Sequence, residues 1–201
     1  VNTGEDAARF VSYLRYPPHG QRSFGPTRVS FAAGANYATE ANDNMLAFAM
    51  IETAEGMANL EAIAATPGLD GIYVGPADLT LSLTQGRLAP GFDREEPEMI
   101  AALQSILAAC KKNGIRAALH CGTPDYAARA IGWGFDMTTV SGDTRLLAGA
   151  AADARPFWQP LKPFWWPTGY PRKGARPSWW QRLKSLPNVP ATVWCTGSRC
   201  T

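Results

Sequence analysis

The sequence predicts an α/β fold in which parallel strands are joined by helical crossovers. Strand-like and helix-like segments alternate four times between Met45 and Asp153, with short connections, as in successive βα units. The first strand segment, Met45 to Ile51, is almost unbroken apolar sequence, as expected of a strand covered on both faces. A polar residue closes every strand segment, so reactive side chains are expected along one edge of the sheet.

Each segment has a local signature. Thr3 is placed to cap a first helix, with Glu5 and Asp6 in the turn where carboxylates favour the helix dipole, and Ala7, Phe10, Val11 and Leu14 form its apolar stripe. Tyr16-Pro17-Pro18 ends that helix, and the Gly-rich sequence to about Gly34 reads as loop. Ala41 to Asn44 leads into the first strand. Thr53 to Ala65 reads as a helix, Leu69 to Val74 as a strand, and Glu95 to Asn113 as a longer helix with Gly114 as its C-cap. Ile115 to Cys121 is the third strand, Pro124 to Trp133 a helix, Asp136 to Val140 the fourth strand, and Thr144 to Asp153 the start of a last helix. Four such units fit half of a (β/α)8 barrel or a small doubly wound sheet.

At 201 residues the chain is long enough for one domain with a sizeable core, but its composition breaks after Ala154. Residues 1–154 hold all 17 Asp and Glu with 11 of the 19 Lys and Arg, a formal balance of −6. Residues 155–201 hold no acid, eight basic residues, six of the seven Trp and half of the 16 Pro. No run approaches the roughly 18 to 20 apolar residues of a bilayer span, and Val1 to Asp6 lack the parts of a secretion signal, so a cytoplasmic protein is expected. Cys110 and Cys121 need not pair, and Cys195 and Cys200 have no neighbouring His or Cys to complete a zinc site. Interleaved Trp and Lys or Arg in the tail could meet a membrane interface or nucleic acid, but Pro-rich aromatic sequence needs no such role, and neither partner is expected.

Two carboxylates stand out. Glu52, in Met50-Ile51-Glu52-Thr53, and Asp78, in Gly75-Pro76-Ala77-Asp78-Leu79-Thr80, each follow an apolar strand segment. At the ends of successive parallel strands they could share one divalent cation, since Mg²⁺ and Mn²⁺ prefer carboxylate oxygen. Taken singly, either could instead be a helix cap or an ion-pair partner. The later strands close on His120 with Cys121 and on Ser141-Gly142-Asp143. His120 reads as either a packed pocket residue or a proton carrier, Asp143 evenly as a strand-end site residue or only a cap of the last helix, and Cys121 as a small buried hydrophobe. Glu95, Glu96 and Glu98 read as an acidic first helical turn, and His19 as a solvated loop residue. Schiff-base chemistry is disfavoured, because the only lysines before the tail, Lys111 and Lys112, lie on a polar helix end.

Several ordered motifs together carry a resemblance. Ala49-Met50-Ile51-Glu52-Thr53, Gly71-Ile72-Tyr73-Val74-Gly75-Pro76-Ala77-Asp78-Leu79 and Val140-Ser141-Gly142-Asp143-Thr144-Arg145-Leu146-Leu147, preceded by Arg15-Tyr16-Pro17-Pro18, resemble the HpcH/HpaI aldolase family over residues 1 to about 152. Its members are class II, metal-dependent pyruvate aldolases, related to 2-keto-3-deoxy-sugar-acid aldolases and to citrate lyase β-subunits. The resemblance implies that Glu52 and Asp78 hold a divalent metal ion (Mg²⁺, Mn²⁺ or Co²⁺), and that Gly75, Pro76, Ala77 and Asp78 form the loop that takes the pyruvate carboxylate. It also implies that His120 lines the aldehyde side of the pocket. The implied reaction is cleavage of a 4-hydroxy-2-oxo acid to pyruvate and an aldehyde, with a small 2-oxo acid as substrate and a homo-oligomer as the family's assembly.

Two departures accompany it. A family barrel begins roughly 90 residues earlier and would carry there the general-base His and an Arg that steadies the enolate. His19, Arg22 and Arg28 are loop residues that do not replace them. The expected fold is therefore the C-terminal portion of a (β/α)8 barrel, about four βα units without the N-terminal half, over residues 1–154. Residues 155–201 are expected to be an irregular basic Trp/Pro-rich tail, disordered or read out of frame, since prolines at this density interrupt a helix. An inactive fragment, or a module that binds metal or keto acid without turnover, is the alternative function. Uncovered strand faces and two open sheet edges further predict an aggregated, oligomeric or loosely folded chain.

Overall fold

The computed structural model describes residues 1–25 and 27–158. The tail with Cys195, Cys200 and the expected irregular segment lies outside the described residues from 159 on. The chain divides into two compact units after Leu146. The described part of the second is helical from residue 147 to 158; all that follows concerns the first.

Helix α1, Gly4–Leu14, opens with a capping box: the Thr3 hydroxyl accepts from the Asp6 N–H at 3.1 Å, and the Asp6 carboxylate accepts from the Thr3 N–H at 3.1 Å. The Asn2 and Thr3 donors hold the Asp6 carboxyl below its usual range. Two helices follow, α2 at Thr27–Ala33, where the composition reads as loop, and α3 at Tyr37–Asn44, in the lead into the first strand. Gly and Pro bracket residues 27–33 without falling inside them, which leaves one uninterrupted helical segment. Asn42 then ties α3 back to the end of α1, accepting from the Tyr16 N–H at 2.7 Å and donating to the Tyr16 carbonyl at 3.1 Å.

Strand β1 spans Phe48–Ile51, shorter than the apolar run that announces it. The expected helix over 53–65 is two helices, α4 at Ala54–Ala58 and α5 at Leu60–Ala64, which meet at Asn59. Strand β2, Gly71–Val74, runs through Gly75 directly into α6, Pro76–Leu83, a helix that begins with proline at N1, where its missing N–H costs nothing. The long helix α7, Pro97–Asn113, ends on Gly114 at φ 67°. Strand β3 is Arg116–Cys121, α8 is Pro124–Trp133, β4 is Met137–Val140, and α9 is Asp143–Trp158. Helix α9 runs past Ala154 and through Pro156 to the last described residue, contrary to the expectation that proline would end it first.

The four strands pair in parallel in the order β1-β2-β3-β4, with Ile51 opposite Val74, Val74 opposite Leu119, and Cys121 opposite Val140. A doubly wound sheet reverses its direction of travel at a switch point; these strands never do. Crossovers of one hand that step in one direction put their helices on one face. Packing agrees: Ala49, Ile51, Ile72, Val74, Ala117, Leu119 and Cys121 form one core cluster with Ile63 of α5, Leu79 of α6, Leu103 and Ile106 of α7, and Ala130 of α8. Each fully buried Ile or Leu contributes roughly 1.5–3 kcal/mol. By strand alternation, Met50, Tyr73, Ala118, His120, Met137 and Thr139 point to the other face. That face is partly open, with Met50 40% and Met137 42% exposed, as the prediction of uncovered strand faces requires.

Two aspartates repeat one arrangement at the N-terminal edge. Asp70, just before β2, accepts from the Ala47 N–H at 2.6 Å while its own N–H bonds the Ala47 carbonyl. Asp136, just before β4, does the same to Ala117, at 2.9 Å in both directions. Arg15 pairs with Asp70 and Arg116 with Asp136.

Candidate functional site

The predicted site residues collect at the opposite, C-terminal edge. Glu52 is the first residue after β1 and is half-buried. The ladder extends one bond past the strands, from the Gly75 N–H to the Ile51 carbonyl at 3.1 Å, which sets Glu52 beside Gly75. A Cβ on Gly75 would lie 3.0 Å from the Glu52 Oε2, so the absent side chain is what leaves room for this carboxylate. Asp78 occupies the first turn of α6, exposed, where the helix dipole favours a negative charge. Neither carboxylate has a hydrogen-bond or ion-pair partner among the described residues, whereas Asp70 and Asp136 at the other edge are fully engaged. No group of three or more His, Cys, Asp or Glu is arranged to hold a metal ion among the described residues. A cation at this edge would thus draw on Glu52 and Asp78 alone, and two unpartnered carboxylates are a fitting donor set for a hard divalent ion that keeps several waters.

Ala77, the second residue of α6, also lines a cleft of about 480 Å³. Its other walls are Pro90 to Asp93 from the loop between α6 and α7, Gly122 and Thr123 after β3, and Arg145 in the first turn of α9. The loop is fastened by Asp93, which accepts from the Gly122 N–H at 2.6 Å and the Thr123 hydroxyl at 2.7 Å. It is fastened again by Tyr126, whose hydroxyl donates to the Arg94 carbonyl at 2.6 Å. Burial, with the nearby Glu95 charge, pushes the Tyr126 phenol up to about 12, so it stays a donor. Neither Glu52 nor Asp78 lines this cleft; the neighbour of Asp78 does.

His120 is the next-to-last residue of β3, on the open face. Its Nδ1 lies 2.8 Å from the Thr139 hydroxyl and 3.2 Å from the Tyr73 hydroxyl, and those two oxygens are 2.6 Å apart. The Phe92 ring packs edge-on against the imidazole, centroids 4.6 Å apart, and the Arg145 guanidinium lies over the Phe92 ring, 4.9 Å from its centroid. Cys121 points into the core, where burial raises its thiol to about 11 and removes it as a nucleophile. Asp143 is the first residue of α9 and accepts from the adjacent Thr144 N–H at 2.7 Å, not from the N–H two or three residues on that a cap would engage. Glu96 precedes α7 and pairs with Arg94, Glu98 with Arg87, and Glu95 with Arg129, so these acids are structural. His19 is exposed, and Arg22 stacks on Tyr16 and Tyr37; neither belongs to the cleft, and Arg28 lies on α2 rather than in a loop.

Sequence reasoning missed Tyr73, Phe92, Asp93 and Thr139 and gave Arg145 no role. Tyr73 and Thr139 become visible once the register is known, since Thr139 pairs with His120 across β3 and β4. Asp93, in Pro90-Gly91-Phe92-Asp93, carries only a turn signal.

The HpcH/HpaI aldolase/citrate lyase family model matches residues 1–150. A hydroxypyruvate/pyruvate aldolase of Rhizorhabdus wittichii is 38% identical over 159 residues, covering 77% of this chain and 62% of the relative. A 5-keto-4-deoxy-D-glucarate aldolase of Klebsiella pneumoniae is 35% identical over 152 residues, 75% of this chain and 57% of the relative. Among solved structures, a HpcH/HpaI aldolase/citrate lyase family protein from Burkholderia cenocepacia superposes with a TM-score of 0.68 at 31% identity, covering 78% of this chain and 62% of that one. The chain therefore spans about three fifths of the length of the curated relatives it matches. No helix among the described residues is long and apolar enough to cross a membrane.

Proposed function

The chain belongs to the HpcH/HpaI aldolase/citrate lyase family, and from that premise we propose that it carries the metal and keto-acid side of a lyase cleaving a 4-hydroxy-2-oxo acid to pyruvate and an aldehyde. The observation that carries this reading is the pair Glu52, just after β1, and Asp78, in the first turn of α6 after β2, both unpartnered among the described residues, with Gly75 opening space for the first. Glu52 and Asp78 hold the divalent cation, Mg²⁺, Mn²⁺ or Co²⁺. When bound, that ion supplies Lewis-acid polarisation of the substrate ketone. The backbone N–H groups of Ala77 and Asp78, at the start of α6, take the substrate carboxylate; Pro76 has no N–H and instead fixes the entry into the helix. His120, with Nδ1 engaged by Tyr73 and Thr139, is held against Phe92 at the cleft and turns Nε2 to the aldehyde half of the substrate.

Bond cleavage also needs a base for the 4-hydroxyl proton. The resemblance to the family implies that this base, a His, and an enolate-steadying Arg lie in the portion of the relatives that this chain does not span. We read the four strands as the C-terminal portion of a (β/α)8 barrel, with residues 1–154 as that domain and 155–201 as a separate tail. Support comes from the unreversed strand order and the helices packed on one face. The three-fifths coverage favours a second reading, in which this chain alone binds metal and keto acid without turnover, or does so within a homo-oligomer.

The test measures Mn²⁺ binding and Mn²⁺-dependent pyruvate release from a 4-hydroxy-2-oxo acid, for the chain and for Glu52→Ala. Binding and release that both fall in Glu52→Ala support the lyase; binding without release supports the second reading. Equal Mn²⁺ binding by both proteins rejects Glu52 as a ligand.

A further inference from the structure

Three half-buried polar side chains on the open face of the sheet close a hydrogen-bonded triangle. Thr139 of β4 stands directly opposite His120 of β3, and Tyr73 of β2, opposite Ala118, reaches the imidazole on the diagonal. The Tyr73 and Thr139 hydroxyls are 2.6 Å apart, and the His120 Nδ1 lies 2.8 Å from the second and 3.2 Å from the first. Neither hydroxyl has another partner among the described residues, and Nε2 has none. Counting protons decides which way the triangle runs. A neutral imidazole carries one proton, on Nδ1 or on Nε2, and each hydroxyl donates one. With Nδ1 bare, Tyr73 donates to Thr139 and Thr139 donates to Nδ1, which uses the two shortest contacts and both hydroxyl protons. With the proton on Nδ1, one hydroxyl proton has no acceptor left in the triangle, and no described residue takes it. The first arrangement is better by one hydrogen bond, about tenfold in population.

We propose that Tyr73 and Thr139 are positioning residues that hold neutral His120 in its Nε2–H tautomer, so that the imidazole is a hydrogen-bond donor to an oxygen on the aldehyde half of the substrate and not the base for the 4-hydroxyl proton. The donor's target rests on the lyase reading above; the tautomer does not. A histidine at the substrate then leaves the base still to be supplied, because the nitrogen it presents already carries its proton. The edge-on Phe92 ring steadies the imidazole in this orientation.

The experiment uses the full chain labelled with ¹³C,¹⁵N-histidine and solid-state nitrogen spectra above the usual imidazole titration range, which are readable whatever the size of the assembly. The sequence holds two histidines, and exposed His19 serves as the internal reference for an unconstrained ring. Nδ1 and Nε2 are told apart by their bonded carbons. In wild type the ratio of Nε2–H to Nδ1–H is expected to exceed that of His19 by about tenfold. Tyr73→Phe with Thr139→Val removes both hydroxyls at nearly constant shape and should bring the ratio within about twofold of His19, whereas Thr139→Ser keeps the wild-type ratio. A wild-type ratio equal to that of His19 or inverted, which needs no variant to read, or an excess that survives the double variant overturns the proposal. Adding Mg²⁺ with a 4-hydroxy-2-oxo acid, its binding followed by calorimetry, should move Nε2 and leave Nδ1 in place. An unmoved Nε2 while the acid binds overturns the donor role. A tenfold ratio in a chain that binds no acid keeps the tautomer and removes the lyase with its donor target; acid binding with a ratio equal to that of His19 does the reverse.

Discussion

Replacing Gly75 with alanine isolates the position of one carboxylate from everything else in the fold. Gly75 has φ −95° and ψ 87°, on the side of φ that L-residues adopt, so alanine adds no left-handed strain. Its Cβ would stand 3.0 Å from the Glu52 Oε2, 3.2 Å from the Glu52 Cβ and 3.5 Å from the Met50 Sδ. Restoring an ordinary separation of about 3.5 Å moves the Glu52 side chain by about 0.5 Å. Mild overpacking costs about 1 kcal/mol, and the stiffer unfolded chain offsets about 0.4–1 kcal/mol of it. Stability should therefore stay within about 1 kcal/mol of wild type, a melting shift of about 4 °C or less. Metal affinity should fall further, by roughly tenfold or more, because a site with two protein ligands tolerates little displacement of either. Mn²⁺ titration followed by water-proton relaxation, beside thermal melts, reads both quantities, and Glu52→Ala marks complete loss of the ligand. If Gly75→Ala binds Mn²⁺ as tightly as wild type while folded, the Glu52 carboxylate is not a ligand where it lies; if it melts many degrees lower, the contact is structural.

Three further outcomes are expected. Gly71→Ala should lose about 3 kcal/mol or more in denaturant midpoint, because the new Cβ meets the Arg116 carbonyl at 2.6 Å and the Phe48 ring inside a paired strand that cannot shift; a loss under about 1 kcal/mol contradicts the register. Asp136→Asn should lose about 1 kcal/mol near neutral pH. Its carboxyl is held below the usual aspartate range, first by the Ala117 N–H and then by Arg116, so its stabilisation is full above that range and is lost as pH falls through the folded value. The gap between variant and wild type should accordingly close in acid, and a gap that widens there refutes the assignment. Burial raises the Cys110 and Cys121 thiols to about 11, so peptide mapping after a thiol reagent at pH 8 should find both unlabelled in the native chain and labelled after denaturation.

The sequence spoke clearly where a local rule acts within one segment. Thr3 and Asp6 announce the first cap, Gly114 ends α7, and α8 has its predicted ends because Pro124 and Gly134 bound it. It spoke poorly where a nearby contact decides. Asn59 divides one apparent helix because its side chain bonds the Asn2 carbonyl across the fold, and α3 forms beside Pro/Gly-rich sequence because Asn42 anchors it to Tyr16. Glu52 and Asp78 were visible as strand-end acids. His120 was visible in the same way, but its companions were not: Tyr73 and Thr139, on the flanking strands, meet it only through the pairing register, and the Phe92 that joins His120 to Arg145 lies in a loop with no periodic signal.

The twin aspartates at the N-terminal edge deserve a last consequence. Because Asp70 and Asp136 each lock a strand's entry to its neighbour, a slip by one residue would break two bonds at once and turn every core side chain outward. Alignment is thus decided at the edge opposite the proposed site. The opposite rim is free to exchange acids, shorten loops or trade Arg145 for another residue without re-threading the sheet, and descendants of such a scaffold can change what they act on while inheriting the same strand pairing intact.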